Sequence, residues 1–305
     1  MARRRFRLGA GRRERQAGGM ARTIALIGFG EAAMAFAPGL SGVLTAYDRK
    51  TDQPHFADDK RDDYGMFGVR GCDSAAAALD GADAALSLVT ADQALRAADS
   101  ADIAPGTFWF DMNSVAPDTK RAAAAAIHAG GGRYVDVAVM SPVLPGRTGV
   151  PLLVSGPHAE AGAALLIAIG FTNVRVVPGT VGRASSIKMI RSVMVKGIEA
   201  LTAECVLAAN QAGVLDEVLA SLDASEKPKP WAERADYNLD RMLAHGLRRA
   251  AEMEEVVKTL DSLGTGAAMT TGTVLRQRAI GAIGATPPDG LAAKLDLLTR
   301  KADAA

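Results

Sequence analysis

TIALIGFGEAAMAFAPGLSGVLTAYD, residues 23–48, is the stretch that decides the fold of this chain. An apolar run from Ile24 to Ile27, long enough for a buried strand, leads directly into a glycine turn of the form G-x-G-x-x-A. Good helix formers follow until Pro38-Gly39, and a second strand-like run ends at Asp48, twenty positions after Gly28. This order of strand, glycine turn, helix, strand and acid predicts the first half of a dinucleotide-binding unit.

Each part of this stretch has a physical role in holding a dinucleotide. Gly28 permits the tight turn out of the strand, and Gly30 lets a pyrophosphate approach the backbone without a Cβ atom in the way. The helix offers unpaired N–H groups to the phosphates, and Asp48 is placed to accept hydrogen bonds from the adenosine ribose. The predicted cofactor-binding residues lie in this turn and at the ends of neighbouring strands: Gly28, Phe29, Gly30, Glu31, Ala32, Asp48, Arg49, Val89, Thr90 and Asn113.

The choice between NAD and NADP depends on residues 48–50. The charge of Asp48 would repel the 2′-phosphate of NADP, whereas Arg49 and Lys50 are cations of the kind that hold such a phosphate. The acid occupies the position nearest the ribose, and the two cations can swing into solvent. The sequence therefore favours NAD as the cofactor, with NADP used more weakly.

The composition excludes several other classes of protein. The 305 residues carry a net charge of +1, but residues 1–19 alone hold seven arginines and one glutamate, so the body of the chain is mildly acidic and predicts no nucleic-acid partner. No apolar run reaches membrane-spanning length, and a signal peptide is disfavoured because Gly30-Glu31 breaks the apolar stretch. Cys72 and Cys205 match no metal or redox spacing. We expect a cytoplasmic protein with free thiols, no metal site and a disordered tail over residues 1–19.

The order of the predicted elements indicates two domains. Between residues 20 and 179, eight candidate strands alternate with helices, which predicts an α/β, doubly wound, mostly parallel sheet of the Rossmann type. The polar stretch from Thr51 to Tyr64 is predicted to be a surface loop. Residues 180–305 are predicted to form an all-α domain, with a second long helix from Trp231 to Leu263. Its first helix, from Gly182 to about Gln211, is apolar on nearly every face, so we expect a homodimer that buries it.

Three further segments narrow the chemistry. Asp111-Met112-Asn113-Ser114 and Asp136-Val137-Ala138-Val139-Met140-Ser141-Pro142 lie at the ends of predicted strands, at the edge where open α/β sheets bind ligands. The third, Gly179-x-x-Gly182-x-Ala184-x-x-x-Lys188-x-x-x-Ser192, opens the long helix and places Lys188 and Ser192 on one helix face. A lysine within so apolar a helix favours a role in acid/base catalysis over that of a solvated surface residue.

These segments, in this order after the glycine turn, resemble the β-hydroxyacid dehydrogenase and 6-phosphogluconate dehydrogenase superfamily over residues 20 to about 215. The resemblance implies that Lys188 is the general acid/base for hydride transfer. It also implies that the substrate loop of the superfamily corresponds to Asp136 to Ser141. The superfamily combines a Rossmann domain, a long central helix and an α-helical domain that is usually dimeric.

The chain departs from the superfamily pattern at three positions. Ser192 stands in place of an asparagine, and Met140 stands in place of the loop serine, a role that Ser141 could take over. Val195 occupies the position at which the decarboxylating enzymes carry an acid, which argues against the same decarboxylation step. The predicted substrate-binding residues are Ser114, Ser141, Ser192, His245 and Arg249.

Two of these candidates have a simpler alternative. Ser114 could act as the cap of the helix that starts near Pro117, and His245 and Arg249 share a helix face on which surface ion pairing is common. A polar cluster on one helix face can equally bind the carboxylate or phosphate of a substrate. The residues alone leave both alternatives open.

The sequence thus predicts an NAD(P)-dependent oxidoreductase that moves a hydride between nicotinamide and the carbinol carbon of a small, acidic hydroxy compound. An imine reductase is the alternative enzyme, because the same fold hosts that chemistry and Ser192 departs from the hydroxyacid pattern. A non-catalytic dinucleotide sensor is the alternative outside enzymes.

Overall fold

The structure of the protein, a computed structural model, describes residues 22–225 and 228–302. It divides into two compact units, the first extending to Arg191 and the second beginning at Ser192. The basic segment of residues 1–19, predicted to be disordered, lies outside the described residues. Among the helices of these two ranges, none is long and apolar enough to cross a membrane.

The first unit is built on one eight-stranded sheet. Its strands are β1 (Thr23–Ile27), β2 (Val43–Tyr47), β3 (Arg70–Gly71), β4 (Ala84–Ser87), β5 (Phe108–Asp111), β6 (Arg133–Val139), β7 (Leu152–Ser155) and β8 (Val174–Val176). They lie in the order β3-β2-β1-β4-β5-β6-β7-β8. The strands from β3 to β6 are parallel, β7 is antiparallel to β6, and β8 is parallel to β7. The predicted Rossmann-type, mostly parallel sheet is confirmed.

Helices cover both faces of this sheet. They are α1 (Glu31–Phe36), α2 (Ala57–Met66), α3 (Ala75–Leu79), α4 (Ala94–Asp99), α5 (Pro117–Ala129) and α6 (Ala159–Ala168), followed by the first turns of α7 (Arg183–Ala212). Successive residues of a strand point to opposite faces, so Ile24 and Leu26 of β1 enter one hydrophobic cluster while Ala25 and Ile27 enter another. The sheet is therefore buried on both sides, as a parallel sheet requires.

The segment predicted as a surface loop, Thr51 to Tyr64, is mostly helical, and that prediction was wrong. A 3₁₀ turn at Arg49–Asp52 precedes α2, whose buried residues are Ala57, Lys60 and Tyr64. The spacing of these three residues, three and then four positions, places them on one face of a helix. The segment was misassigned because two of its inward-facing residues carry polar groups, which hides the helical period from a count of apolar residues.

The second unit is all-α, as predicted. It continues α7 and adds α8 (Leu215–Ser225), α9 (Trp231–Leu263), α10 (Ala268–Gly281) and α11 (Leu291–Ala302). Gly264 ends α9 in the left-handed conformation, with φ of +69°. The side chain of Glu204 on α7 accepts hydrogen bonds from the N–H groups of Met269 and Thr270, both at 2.9 Å, and so caps the first turn of α10.

The backbones of α9 and α10 touch where two glycines meet. A Cβ atom on Gly246 would lie 2.8 Å from the Cα atom of Gly281, and a Cβ atom on Gly281 would lie 2.8 Å from the Cα atom of Gly246. No side chain fits at either position unless the helices move apart. The two glycines therefore set the spacing of this helix pair.

Candidate active site at the carboxyl edge of the sheet

The glycine turn lies at the point where the order of the strands reverses, with β2 on one side of β1 and β4 on the other. Gly28 has φ of +88°, and a Cβ atom there would lie 2.8 Å from the carbonyl oxygen of Leu88, which follows β4. The turn therefore requires glycine for both its conformation and its closeness to the next strand. Around Gly30, by contrast, no described atom lies within 4 Å of the Cβ position. That open space beside bare backbone fits the approach of a pyrophosphate.

Asp48 is fixed at the end of β2 by backbone hydrogen bonds. Its Oδ2 accepts from the N–H of Phe29 at 2.8 Å, and its Oδ1 accepts from the N–H of Lys50 at 2.9 Å. The carboxylate is thus oriented by the glycine turn itself and is only half-buried. Each oxygen can accept a second hydrogen bond, so the carboxylate is still able to bind ribose hydroxyls.

The remaining predicted cofactor residues surround the same edge. Glu31 and Ala32 form the first turn of α1, and Val89 and Thr90 follow β4. The hydroxyl of Thr90 donates to Asp92, which lowers the pKa of that carboxyl, and the charge of the exposed Arg49 adds to the effect.

Lys188 and Ser114 meet although they are 74 residues apart in the sequence. Lys188 Nζ donates to Ser114 Oγ at 2.6 Å, which places the predicted catalytic lysine beside the end of β5. Ser114 does not cap α5, since the residue at the cap position is Ala116 and makes no side-chain cap. The structure thus brings together two of the predicted site residues at the edge that carries the glycine turn.

Asn113, which precedes Ser114, is buried and held by its neighbours. Its Nδ2 donates to Ser87 Oγ at 2.9 Å and to Asp111 Oδ1 at 2.8 Å. Within the described ranges, Asn113 Oδ1 is buried without a hydrogen-bond partner. Orphaned acceptors of this kind are rare in folded proteins and are commonly completed by a ligand or a water molecule.

A buried lysine that is not among the predicted site residues lies behind this edge. Lys120 on α5 is fully buried, with its Nζ atom 3.0 Å from Asp111 Oδ1 and 3.5 Å from Asp136 Oδ1. The same Nζ donates to the backbone carbonyl of Asp111 at 2.6 Å. Tyr134 donates to Asp111 Oδ2 at 2.7 Å, and burial together with this carboxylate raises the pKa of the tyrosine. One ammonium thus links the end of β5 to the middle of β6.

Asp136, the second partner of Lys120, holds the start of α7. Its Oδ2 accepts hydrogen bonds from the N–H groups of Gly182 and Ser185, at 3.0 and 3.2 Å, and from the hydroxyl groups of Ser155 and Ser185. A carboxylate at the amino end of a helix is also stabilised by the helix dipole. Because Lys188 lies three residues beyond Ser185, this anchor fixes the helix turn that presents Lys188 to Ser114.

The loop after β6 explains one departure from the superfamily pattern. Met140 packs against a small apolar cluster that includes Ala184 and Ile187 of α7, so this position supports the helix instead of presenting a hydroxyl. Ser141 is exposed, and its hydroxyl donates to the carbonyl of Pro142 at 3.2 Å. The suggested replacement of the loop serine by Ser141 stays a prediction.

The other predicted substrate residues belong to the second unit. Ser192 is half-buried on α7, one turn after Lys188. His245 lines a cavity of that unit together with Arg248 and Thr286. Arg249 is half-buried, and its Nε atom has no hydrogen-bond partner among the residues that the structure describes.

A signal for Lys120 exists in the sequence. Lys120 lies on the same face of its helix as Ala123, Ala124 and Ile127, all of which are buried. A lysine is almost never fully buried unless it is paired, so a lysine on an otherwise apolar helix face is a candidate for a buried ion pair. The carboxylates that pair with it are Asp111, the last residue of β5, and Asp136, within β6, and both belong to the segments that the motifs indicate.

The chain is similar to several known proteins. Residues 209–280 match a domain of unknown function, DUF1932. A conserved hypothetical protein from Sinorhizobium meliloti 1021 is 39% identical and superposes with a TM-score of 0.57, over 92% of this chain and 97% of that one. The conserved protein MTH1747, described as structurally similar to 3-hydroxyacid dehydrogenases, is 27% identical with a TM-score of 0.53, over 85% of this chain and 97% of that one.

The chain belongs to the β-hydroxyacid dehydrogenase and 6-phosphogluconate dehydrogenase-like superfamily.

Other relatives are more distant or partial. An imine reductase from Myxococcus stipitatus in complex with NADP⁺ has a TM-score of 0.69 at 19% identity, over 90% of this chain and 99% of that one, which establishes a shared fold. An uncharacterized 28.5 kDa protein of Methanothermus fervidus is 28% identical over 150 residues, which span 49% of this chain and 57% of that protein.

Replacing Lys120 with methionine should destabilise the first unit by about 3–5 kcal/mol, because two buried carboxylates lose their counter-charge. Urea unfolding, followed by tryptophan fluorescence of the buried Trp109, measures the change. Arg121→Met is the matched control, since Arg121 is the next residue and pairs with Asp118 on the surface, where an ion pair contributes about 0–1 kcal/mol. A Lys120→Met variant as stable as Arg121→Met would contradict the role given to the buried charge.

Proposed function

We propose that the protein is an NAD(P)-dependent oxidoreductase that transfers a hydride between nicotinamide and the carbinol carbon of a small, acidic hydroxy compound. The observation that carries this proposal is the 2.6 Å hydrogen bond between Lys188 Nζ and Ser114 Oγ. It puts an ionisable group at the carboxyl edge of the sheet, where the glycine turn also lies. Proton transfer and cofactor binding therefore converge on one region of the first unit.

Several observations support a nicotinamide dinucleotide as the cofactor. Gly28 is conformationally required, Gly30 leaves bare backbone open to an approaching phosphate, and Asp48 is oriented at the ribose position. Asn113 Oδ1, buried without a partner in the described part of the chain, supplies an acceptor of the kind that the nicotinamide carboxamide uses. The imine reductase of the same fold was solved with NADP⁺. When bound, the cofactor accepts or donates the hydride.

Lys188 handles the proton that accompanies the hydride. In oxidation of the alcohol, the carbinol C–H bond breaks with both electrons leaving as hydride, the O–H bond breaks, and a carbonyl forms. The neutral amine of Lys188 accepts the hydroxyl proton; in the reverse direction its ammonium returns a proton to the oxygen. Ser114 Oγ accepts a hydrogen bond from Lys188 Nζ and so holds the amino group in one position for proton transfer.

An acidic substrate is favoured by the cations of the second unit. Arg249 carries a buried Nε atom without a partner among the described residues, and His245 and Arg248 line a cavity there. A guanidinium is well suited to a carboxylate or a phosphate. We propose that His245 and Arg249 contribute to substrate binding, together with Ser141 and Ser192.

Imine reduction is the second candidate activity. Met140 replaces the loop hydroxyl that the superfamily pattern places on the substrate, and its side chain packs against α7. Reduction of a C=N bond needs a hydride and one proton and does not require that hydroxyl. The absence of the loop hydroxyl is therefore compatible with imine reduction, and imines should be assayed beside hydroxy acids.

A homodimer is proposed because α7 leaves apolar side chains uncovered within the single chain. Ile190 and Val193 are each 71% exposed, and Met194 and Ile198 of the same helix are also exposed. Exposed apolar residues clustered on one helix are typical of a protein–protein interface. In a symmetric homodimer, a second copy of the chain would cover these side chains.

Lys188→Ala should leave cofactor affinity nearly unchanged and lower kcat by about 10²–10⁴-fold, the usual contribution of a general acid/base. A panel of hydroxy acids and of cyclic imines, assayed by the absorbance change of the nicotinamide, identifies the reaction and provides the substrate for this measurement. Lys196→Ala is the control, since Lys196 is an exposed lysine of the same helix. Near-normal turnover by Lys188→Ala would show that another group transfers the proton. Cofactor binding without turnover of any compound would point to a sensor.

Asp48→Ser should shift the preference from NAD towards NADP by about tenfold, because it removes a charge that repels the 2′-phosphate while keeping Arg49. The measurement is kcat/KM, or Kd, for both cofactors in wild type and variant. Asp48→Asn serves as the partner variant, since it removes the charge but keeps an acceptor for the N–H of Phe29. A wild type that already prefers NADP would show that Arg49 and Lys50 dominate.

Light scattering at micromolar concentration should give a mass of about twice that of the 31.6 kDa chain. Val193→Asp should shift the protein towards monomer, because it places a charge in the proposed interface, whereas the same change at the exposed Lys196 tests for a general effect of charge on α7. A wild type that is monomeric with NADH present would refute the proposed assembly.

A further inference from the structure

The residue between the two glycines of the turn, Phe29, is held on every side by the rest of the first unit. Its N–H donates to Asp48 Oδ2 at 2.8 Å, and its carbonyl accepts from Lys60 Nζ at 2.9 Å. Its fully buried ring contacts the rings of Tyr64 and Phe67, with centroids 4.9 and 6.2 Å away. Both peptide groups and the side chain of this residue are therefore fixed.

Lys60 is the unexpected member of this arrangement. It lies on α2 and is only 7% exposed, with its ammonium between the carbonyl of Phe29 and Asp63 Oδ2, at 2.9 and 2.6 Å. A buried ammonium carries a large desolvation cost, which a single ion pair seldom offsets. The stabilisation of the helix itself does not require this lysine to reach a loop carbonyl, so its placement indicates a task in the glycine turn.

The geometry of the peptide bond shows what that task is. The carbonyl of Phe29 and the N–H of Gly30 belong to one planar, trans peptide and so point in opposite directions. By holding the carbonyl, Lys60 fixes the direction of the Gly30 N–H. No described atom lies within 4 Å of the Cβ position of Gly30, so this residue borders open space. The nearby ammonium also polarises the peptide in the sense that favours an anion at the N–H.

Tyr64, one turn further along α2, holds the ribose side of the same site. Its hydroxyl accepts from the N–H of Asp48 at 2.8 Å and bonds to Thr51 Oγ1 at 2.9 Å. Its ring lies so close to Gly71 on β3 that a Cβ atom there would be 2.9 Å from Tyr64 Cε2. Helix α2 thus supports the glycine turn through Lys60 and the acid through Tyr64.

We propose that Lys60 is a positioning residue for the diphosphate of the dinucleotide, acting through the Phe29–Gly30 peptide. This inference rests on the dinucleotide site of the proposed function. It separates two tasks on one helix: Lys60 serves the diphosphate, which NAD and NADP share, while Tyr64 and Asp48 serve the ribose, where the two cofactors differ.

The test compares Lys60→Met with wild type in equilibrium titrations of NADH, NADPH and adenosine, at a temperature below the unfolding transition of both proteins. Lys60→Met should weaken the binding of NADH and of NADPH by the same factor, about tenfold, which is the loss of affinity expected for one hydrogen bond to a charged group. Adenosine, which carries the ribose but no phosphate, should bind unchanged. Arg61→Met is the matched control, because Arg61 is the next residue on α2 and pairs with Asp58 at the surface.

The outcomes separate this inference from the proposed function. A wild type that binds neither NADH nor NADPH overturns the dinucleotide site itself. If wild type binds both dinucleotides and Lys60→Met binds them with the same affinity, the positioning role is overturned. It is also overturned if Lys60→Met loses affinity for NADH, NADPH and adenosine by the same factor, which would leave a structural role. If Lys60→Met does not fold, Lys60→Gln takes its place, since it withdraws the ammonium but leaves a polar group. A selective loss of NADH and NADPH is expected again, and unchanged binding refutes the proposal.

Discussion

The buried ammonium of Lys120 is the interaction on which the site depends. It faces Asp111 and Asp136, two carboxylates that have no access to solvent, and each of these organises a different segment. Asp111 ties down the turn that carries Asn113 and Ser114, while Asp136 receives the first turn of α7. The contact between Lys188 and Ser114 therefore depends on the buried ion pairs of Lys120 with the two carboxylates. The position of Lys188 relative to Ser114 is therefore only as precise as the ion triad beneath it.

Lys60 and Lys120 solve the same problem at two places. Both extend from a helix on the face of the sheet to its carboxyl edge, and both donate to a backbone carbonyl, that of Phe29 and that of Asp111. Where a strand passes into a loop, such carbonyls lack some of the partners that regular strands and helices provide. A lysine reaches them with a long apolar stem and three donors, and its charge then needs a carboxylate. Lys188, the third lysine of this region, is instead half-exposed, which suits the proton transfer proposed for it.

The part of the fold that follows from local pattern could be predicted from the sequence. The predicted helix from Trp231 to Leu263 has the same bounds as α9, and α5 begins at Pro117 as expected. Helix α2 and the ion triad could not be found in this way, because periodicity counts every polar residue as outward-facing. Whether a lysine faces inward is decided by partners that are distant in sequence. The same limit applies to the substrate, because the surroundings of the proposed binding residues Ser192, His245 and Arg249 are set by contacts in three dimensions.

The contact between Gly246 and Gly281 bears on how the helical unit could be re-engineered. Since neither position has room for even a methyl group, the distance between α9 and α10 is not an adjustable parameter. The cavity beside His245 is bordered by both glycines. A designer who wishes to reshape this cavity must therefore alter side chains at its rim, such as Leu247 or Thr286, and leave the helix spacing as it is. Where Gly246 and Gly281 line the cavity its wall is backbone, and directed evolution at these two positions has few substitutions to sample.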